Sequence, residues 1–505
     1  MTSAKSEFRF EFTKLHAEVP YDKVSRPTMA HAEKSDILVA RYASPEMAEL
    51  FSREQRIRLW RQLWIALAEA EHELGLPVTK AQIQQLKKYR DKINWEVAEK
   101  KEREIRHDVM AHVHAYAAQC KRAAPIIHLG ATSAYVTDNA DILLIRDGLK
   151  LLARKMATAI DRLATFAVRE QSTATVAYTH LQAAAPTTVG KRACLWLQNF
   201  VMDLSRLEFE QSELRFHGVK GATGTQDTYV KLFDGDKRKV EELDRRVGKK
   251  MGFSSSYLVT GQTYPRKVDT RIITLLAGIG ESASKMGNDL RILQALHEVE
   301  EPREDSQVGS SAMPYKQNPM RSERMVALSR FVINLVGNCF ETASNQWFER
   351  TLDDSANRRL VIPQAFLVTD GVLNLAINIA SGLKVRESVI AQHLDQEIPF
   401  LQTEEILMAA VRAGGDRQVL HERIRKHAEE VIHQIREKGG NNDLLARIRK
   451  DAAFSGVLPK LMIRSKPEQL VGMAPEQVGR FIRTVVEPIR RKYGRSKRIQ
   501  GTVRV

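Results

Sequence analysis

Cysteine, glycine and proline are all scarce in this chain of 505 residues, which has 3 cysteines, 27 glycines and 16 prolines. The cysteines, Cys120, Cys194 and Cys339, lie far apart and form no CxxC pair. This argues against a disulfide framework and against a structural zinc site. Glycine and proline fall below their usual shares of about 7% and 5%. Long helices without interruption are therefore possible.

Long apolar runs are also missing. No stretch approaches the roughly 18 residues that a membrane span needs, and the N-terminus lacks the apolar core of a signal peptide. Together with the few cysteines, this predicts a cytoplasmic protein. Lysine and arginine number 78 against 62 acidic residues, a formal charge of +16, which indicates an anionic partner without saying which kind. The last 25 residues hold eight basic residues and one acid.

The spacing of apolar residues predicts an all-α fold with long central helices. Ser52 and Gln55 have the spacing of a capping box, and apolar residues from Trp60 to Leu67 then recur on one helical face. Long stretches poor in helix breakers, typical of a helical bundle, follow at 138–170, 187–216, 266–297, 320–349 and 355–382.

Changes in composition predict four regions along the chain. Residues 1–35 are expected to be a flexible arm, 36–132 an N-terminal helical domain, 133–385 a central long-helix bundle, and 386–505 a C-terminal helical domain with a basic tail. Loops on such a scaffold commonly carry function. Segments rich in glycine, serine, threonine and proline lie at 128–137, 178–188, 218–228, 253–265 and 302–319.

The segment GSSAMPYKQNP, residues 309–319, has the most informative pattern. Asn318 and Pro319 precede an apolar-periodic run, which predicts the N-cap and first residue of a helix. The free amides of that helix end would make an anion site, and Lys316 would add a fixed charge. From spacing alone, an anion-binding loop and an ordinary loop between helices are equally supported.

The same segment resembles the signature loop GSSxMPxKxN of the aspartase/fumarase superfamily, whose members eliminate fumarate from succinyl or aspartyl groups. Every fixed position of the pattern is filled. Further segments similar to this family occur in the family's order between residues 41 and 359. They are RYASPEM (41–47), RHDVMAH (106–112), GATSAY (130–135), THLQ (179–182), GQTYPR (261–266) and FERTLDDSANRR (348–359).

Within the family, the chain is most similar to members that act on succinylated purine nucleotides. The resemblance implies β-elimination of fumarate from adenylosuccinate, giving AMP, and from the succinyl-carboxamide imidazole ribotide SAICAR, giving AICAR. It implies no cofactor, no metal and no membrane partner, and a homotetramer whose sites are shared between three chains.

Two alternatives remain beside this reading. One keeps the superfamily and changes the substrate to argininosuccinate or malate, as in argininosuccinate lyase; the arginine-rich set described below disfavours it, because those substrates lack a phosphate. The other is a basic nucleic-acid-binding protein, which the lack of a basic stripe interleaved with aromatic residues disfavours.

The resemblance assigns the catalytic base to Ser310 and the general acid to His180. A serine hydroxyl is a weak base that needs activation by nearby positive charge or amides. Histidine suits proton donation because it titrates near neutral pH. From the residues alone, a loop serine making a turn hydrogen bond is the favoured interpretation of Ser310, whereas a packed core histidine is the less favoured interpretation of His180.

The resemblance also implies which residues bind the substrate. Short polar side chains would hold carboxylate and base edges, and arginines would hold the phosphate with their planar forks. An acid/base role for His107 stays open. The implied substrate-binding residues are Arg41, Tyr42, Arg106, His107, Asp108, Thr132, Ser133, Thr179, Gln262, Lys316, Asn318, Arg324, Arg350, Ser355 and Arg359.

Overall fold

The structure, a computed structural model, describes residues 36–455 and 467–494 together with residues 499 and 501. The arm predicted at 1–35 and the tail residues Arg495, Lys497, Arg498 and Arg504 lie outside this range. Helices hold 70% of the residues, which confirms a mostly helical fold. The domain limits drawn from the sequence stay predictions.

The N-terminal helices surround an aromatic core. Ser52 caps the second of them, its Oγ accepting a hydrogen bond from the Gln55 amide at 3.1 Å, which confirms the predicted helix start. Trp64 and Tyr116 are buried in this core. After a π-helical turn, Leu38–Tyr42, the elements are α1 (Pro45–Leu50), α2 (Arg53–Glu73), α3 (Lys80–Tyr89), α4 (Trp95–Ile105) and α5 (Asp108–Gln119).

Long helices pack side by side in the central region. Its elements are α6 (Ser133–Arg169), β1 (Ala174–Thr179), β2 (Gln182–Thr188), α7 (Val189–Glu213), α8 (Asp227–Leu232), α9 (Lys237–Lys250), α10 (Lys267–Ala295), β3 (Val299–Glu300), α11 (Met320–Asn334), α12 (Val336–Ser344), α13 (Asp354–Gly382) and β4 (Lys384–Val385). One continuous apolar core joins α6, α7, α10, α11 and α13.

Glycines let α10 and α11 approach each other closely. A Cβ atom on Gly287 would lie 2.7 Å from a Val326 methyl group, and one on Gly280 would lie 2.8 Å from a methyl group of Val332. These glycines are seven residues apart and face the same neighbour. Their missing side chains therefore set the distance between the two helices.

The expectation of an all-α fold is incomplete, because the chain also forms two small antiparallel sheets, β1–β2 and β3–β4. The segment 178–188, predicted as a loop, belongs to the β1–β2 hairpin. The segment 128–137 was also predicted as a loop, but α6 already begins at Ser133. Runs of six or seven residues are too short for periodicity to separate a strand from a loop.

Helix α13 corrects the expectation that no apolar stretch is long enough to span a membrane. An 18-residue window of α13 has a mean hydropathy of 1.7, and 83% of that window is buried inside the protein. A helix that is apolar on all sides and covered by its own chain is a core helix. α13 packs against α6, α10 and α11 in the central bundle.

The C-terminal helices form a small core of their own and then return to the bundle. They are α14 (Glu387–Leu401), α15 (Thr403–Arg412), α16 (Arg417–Lys438), α17 (Leu444–Lys450), α18 (Ala474–Phe481) and α19 (Glu487–Tyr493). On α19, Arg490 donates to Asp161 at 2.8 Å and the Tyr493 hydroxyl donates to Glu208 at 2.6 Å. These bonds hold the described part of the basic tail against α6 and α7.

Candidate active site

A cleft of about 960 Å³ opens where three helices begin. α5 starts there at Asp108, α6 at Ser133 and α13 at Asp354. Helix N-termini carry partial positive charge and unpaired amides, so their convergence favours an anionic ligand. The cleft is lined by eight of the residues implied by the sequence: Arg106, His107, Asp108, Ser133, Gln262, Arg350, Ser355 and Arg359.

Hydrogen bonds tie the walls of the cleft together. Arg359 donates from Nη2 to Asp108 Oδ2 at 2.7 Å, joining α13 to α5 across a sequence separation of 251 residues. His107 Nε2 lies 3.4 Å from the Ser133 hydroxyl oxygen. The side chain of Arg359 is 59% exposed, so this guanidinium group is accessible to a ligand.

Below the cleft lies a chain of buried charges. Arg266 donates from Nε to Asp354 at 2.7 Å and from Nη1 to Asp138 at 2.9 Å, and none of these three side chains is more than 4% exposed. Burial alone would raise the pKa of Asp138, but the Arg266 and Arg358 guanidinium groups outweigh it and lower that pKa to about 2. Asp138 is therefore charged in the folded protein.

Arg358 extends this network. It donates from Nε to Asp269 at 2.7 Å and from Nη2 to Asp141 at 3.0 Å, and Arg56 on α2 donates to the same Asp141 at 2.6 Å. The Tyr264 hydroxyl lies 2.5 Å from Asp269. Local sequence patterns do not identify these residues, because an acid or a base within a helical period is typical of a solvated helix face.

Two positions implied by the sequence adopt left-handed backbone. Arg106 has a φ of 56° and joins α4 to α5. His180 has a φ of 53°, and Leu181 beside it a φ of 57°. Residues with a Cβ adopt this region at a cost, and such strain clusters at functional sites.

His180 lies at the tip of the β1–β2 hairpin. Thr179 pairs with Gln182, so His180 and Leu181 form a two-residue turn with positive φ at both positions. At the base of the hairpin, Thr175 Oγ1 donates to the buried carboxylate of Glu298 at 3.3 Å. His180 is thus presented by a short ribbon, and the interpretation as a packed core histidine is wrong.

In the signature loop, two backbone amides donate to Ser310. Its Oγ accepts hydrogen bonds from the amides of Ala312 at 3.3 Å and Met313 at 3.1 Å. Asn318 donates from Nδ2 to the Gly309 carbonyl at 2.9 Å and closes the loop. These are turn hydrogen bonds of the kind expected of a loop serine, and amide donors so placed would also favour an anionic Ser310 oxygen.

The anion site predicted at the helix end after this loop is already filled by the protein. The N-cap of α11 is Pro319, and the Glu301 carboxylate accepts the Arg321 and Ser322 amides, each at 2.8 Å. Burial raises the pKa of Glu301 although these hydrogen bonds oppose the shift. A carboxylate from the same chain therefore neutralises this helix end.

The cleft and the segments that carry Ser310 and His180 lie at opposite ends of the long helices. Gln262 precedes α10, and the signature loop follows it. α10 has 29 residues, so at 1.5 Å per residue it separates them by about 44 Å. Ser133 likewise begins the 37-residue α6, and the His180 hairpin follows its far end. One chain does not bring Ser310 or His180 to its own cleft.

Several other implied residues also lie outside the lining of the cleft. Arg41 and Tyr42 belong to the turn docked on α13, where the Ser44 amide donates to Asp370 at 2.6 Å. Among the described residues, those implied by the sequence but not lining the cleft are Arg41, Tyr42, Thr132, Thr179, His180, Ser310, Lys316, Asn318 and Arg324.

Comparison with known families defines the class of protein. A family model described as lyase matches residues 40–333. The fold agrees: a fumarate lyase from Mesorhizobium sp. BNC1 superposes with a TM-score of 0.76 at 23% identity, covering 88% of this chain and 99% of that one. A 3-carboxy-cis,cis-muconate lactonizing enzyme from Pseudomonas putida superposes with a TM-score of 0.75 at 21% identity, covering 90% and 99%. The chain belongs to the aspartase/fumarase lyase superfamily.

Relatives of known activity narrow this class. Adenylosuccinate lyase from Schistosoma mansoni is 47% identical, with 90% of this chain and 95% of that protein aligned. The enzyme from Schizosaccharomyces pombe is also 47% identical, with 88% and 93% aligned. A model described as adenylosuccinate lyase C-terminus matches residues 399–481. Within its superfamily the chain is thus an adenylosuccinate lyase, a C–N lyase.

Proposed function

We propose that this enzyme eliminates fumarate from adenylosuccinate, giving AMP, and from SAICAR, giving AICAR, in purine nucleotide synthesis. The observation that carries the proposal is the cleft at three helix N-termini, which has arginines on its walls and a network of paired charges beneath it. Both substrates combine a phosphate with two carboxylates, and this arrangement suits such a polyanion.

The cleft would hold the nucleotide body of the substrate. Arg350, Ser355 and Arg359 surround the first turn of α13, where helix amides and guanidinium groups together suit a phosphate. Gln262 and Ser133 present short polar groups to the base and ribose. Arg359 would exchange its bond to Asp108 for one to the phosphate.

The elimination itself would proceed between Ser310 and His180. The Ser310 oxygen removes the proton from the carbon next to one carboxylate, and that carboxylate takes up negative charge. Lys316 and the loop amides stabilise the developing charge, which is commonly the largest contribution to catalysis. The bond from the neighbouring carbon to nitrogen then breaks, a carbon–carbon double bond forms, and His180 protonates the departing nitrogen.

We further propose that the active enzyme is a homotetramer whose sites combine a cleft, a hairpin and a signature loop from three chains. The separation of about 44 Å along α10 supports this assembly, because no single chain completes a site. On α7, Leu195, Met202 and Phe209 recur every seven residues and are 53%, 63% and 49% exposed. An exposed apolar stripe of this period is typical of a helix that packs on another helix.

A direct assay tests the proposed activity. Purified protein is mixed with adenylosuccinate, SAICAR or argininosuccinate, and fumarate release is followed. Turnover of the first two and none of argininosuccinate is expected. A folded tetramer that releases no fumarate from adenylosuccinate would contradict the proposal.

A further inference from the structure

Arg350 lies on the short connection between α12 and α13, where much of the chain faces outward. Among its neighbours, Trp347, Phe348 and Leu352 are 68%, 98% and 73% exposed. The Gln262 amide donates to the Glu349 carbonyl at 3.0 Å and fixes the backbone there. The direction of the Arg350 side chain therefore depends on what its guanidinium group contacts.

That contact is Asp354. The Arg350 Nη1 atom lies 3.0 Å from both carboxylate oxygens, and the Asp354 side chain is fully buried while that of Arg350 is 25% exposed. Within the described part of the chain, Nε and Nη2 of Arg350 make no hydrogen bond. Asp354 thus holds Nη1, while the N–H groups of Nε and Nη2 remain available as a fork of donors for a ligand.

Asp354 is itself held on its other side. Arg266, anchored by Asp138 on α6, donates to Asp354 Oδ2 at 2.7 Å. The ion pairs Asp138–Arg266, Arg266–Asp354 and Asp354–Arg350 therefore connect the start of α6 to Arg350 on the wall of the cleft. Because all four side chains are paired and those of Asp138, Arg266 and Asp354 are buried, these side chains have little freedom to rotate.

We propose that Asp354 is a positioning residue that orients the Nε/Nη2 fork of Arg350 toward the substrate phosphate. This inference rests on the proposed function and deepens it, since it names the group that fixes the phosphate contact. Asp354 does not touch the ligand. Its removal would leave Arg350 present and charged but would let the guanidinium group turn away from the cleft.

The test is the Asp354→Asn variant, with binding of AMP and of fumarate measured separately as product inhibition constants. AMP carries the phosphate and fumarate does not. We expect the AMP constant and the KM for adenylosuccinate to rise by about tenfold or more, because a charge-assisted bond to phosphate is lost. The fumarate constant and kcat are expected to stay within about threefold of the wild type.

Two matched variants separate positioning from loss of stability. Asp353→Asn removes a neighbouring carboxylate that accepts from Thr351, and it should leave both constants unchanged. Asp269→Asn removes a buried carboxylate of the same network that pairs with Arg358, so it should lower Tm but leave the AMP constant near the wild-type value. If Asp269→Asn weakened AMP as much as Asp354→Asn did, the positioning role would be overturned.

The Asp354→Glu variant keeps the test decisive if the asparagine variant fails to fold. It retains the buried charge but shifts the carboxylate by one methylene group, so AMP should weaken while fumarate does not. Unchanged AMP affinity in a folded Asp354→Glu enzyme would overturn the inference. Wild-type protein that fails to turn over adenylosuccinate would instead refute the proposed function, so the two failures are distinguishable.

Discussion

The cleft and the segments that carry Ser310 and His180 are built in opposite ways. The cleft stands on buried arginines and aspartates that pair within one chain, such as Arg266 with Asp138 and Asp354. Ser310 and His180 lie on an exposed loop and at a hairpin tip, held mainly by local backbone contacts. The proposed binding cleft is preorganised inside one chain, whereas the proposed chemical groups would meet a substrate only after chains assemble.

This difference has a physical basis. A phosphate needs fixed charges, and fixed charges need buried partners that compensate the cost of removing them from water. A base that abstracts a proton from carbon needs exclusion of water at the moment of reaction, which a closing segment supplies. Rigidity therefore suits the cleft, and exposure suits the segments that carry Ser310 and His180.

The largest effect is expected at the chemical groups. Ser310→Ala and His180→Ala should each lower kcat by about 10²- to 10⁴-fold, because each removes one proton transfer, while AMP binding persists. Steady-state kinetics and AMP inhibition measure the two effects. Mixing the two inactive variants under conditions that exchange subunits should restore part of the activity, since some hybrid sites would contain both groups.

Other outcomes would break the contrast between the two regions. A Ser310→Ala enzyme of near-normal rate would remove this serine from the base role. Loss of turnover in Ser311→Ala alone would transfer the role to its neighbour. If mixed variants that exchange subunits stayed inactive, the proposal that chains share each site would fail.

A smaller effect is expected at Glu301, whose carboxylate accepts the first amides of α11 directly after the signature loop. Glu301→Gln replaces a carboxylate that accepts two amides with a carboxamide that has one acceptor oxygen. We expect kcat to fall about tenfold and proteolysis within 302–319 to accelerate, because the loop loses its fixed base. The matched control is Glu304→Gln. Glu304 also pairs with Arg321, but its side chain is 66% exposed, so this variant should behave like the wild type. Equal kinetics in both variants would contradict the anchoring role.

The smallest effect concerns Glu71, a buried carboxyl group whose oxygens have no hydrogen-bond partner in the described structure. Burial raises the pKa of this residue well above its usual range. The folded state then binds a proton more tightly than the unfolded state, so stability falls as the pH rises above the unfolded pKa. Glu71→Gln should raise Tm by about 2 °C or more at pH 8.

This gain should shrink as the pH falls toward the unfolded pKa, because the difference in proton binding by Glu71 between the folded and unfolded states then disappears. Thermal unfolding at pH 8 and at pH 5 measures it. Glu73→Gln on the same helix is the control with opposite sign, because its hydrogen bond from Lys250 lowers the pKa of Glu73 and stabilises the protein above the unfolded pKa. A Glu71→Gln variant that is less stable than the wild type at pH 8 would show that the buried carboxylate has a stabilising partner.

Neighbouring residues show how far the sequence could predict the site. Arg358 and Arg359 are adjacent, yet Arg358 is buried in the network and Arg359 is exposed in the cleft. The motif identified Arg359 but could not separate the two roles, because these depend on partners from distant parts of the chain. The Glu301 cap was missed for the same reason, since Glu301 follows β3 and lies 20 and 21 residues before the two α11 residues whose amides it accepts.

By itself, the sequence determined the chemical groups and the long helices, because a motif, a helical period and the cap at Ser52 are local patterns. Only the tertiary structure decided which charges are buried and at which end of the molecule each group lies. Arg358 meets Asp141 across 217 residues, and a helix of 29 residues separates Gln262 from Ser310. The energy of a charge depends on the burial and partners that such distant contacts create, and these are absent from any local pattern.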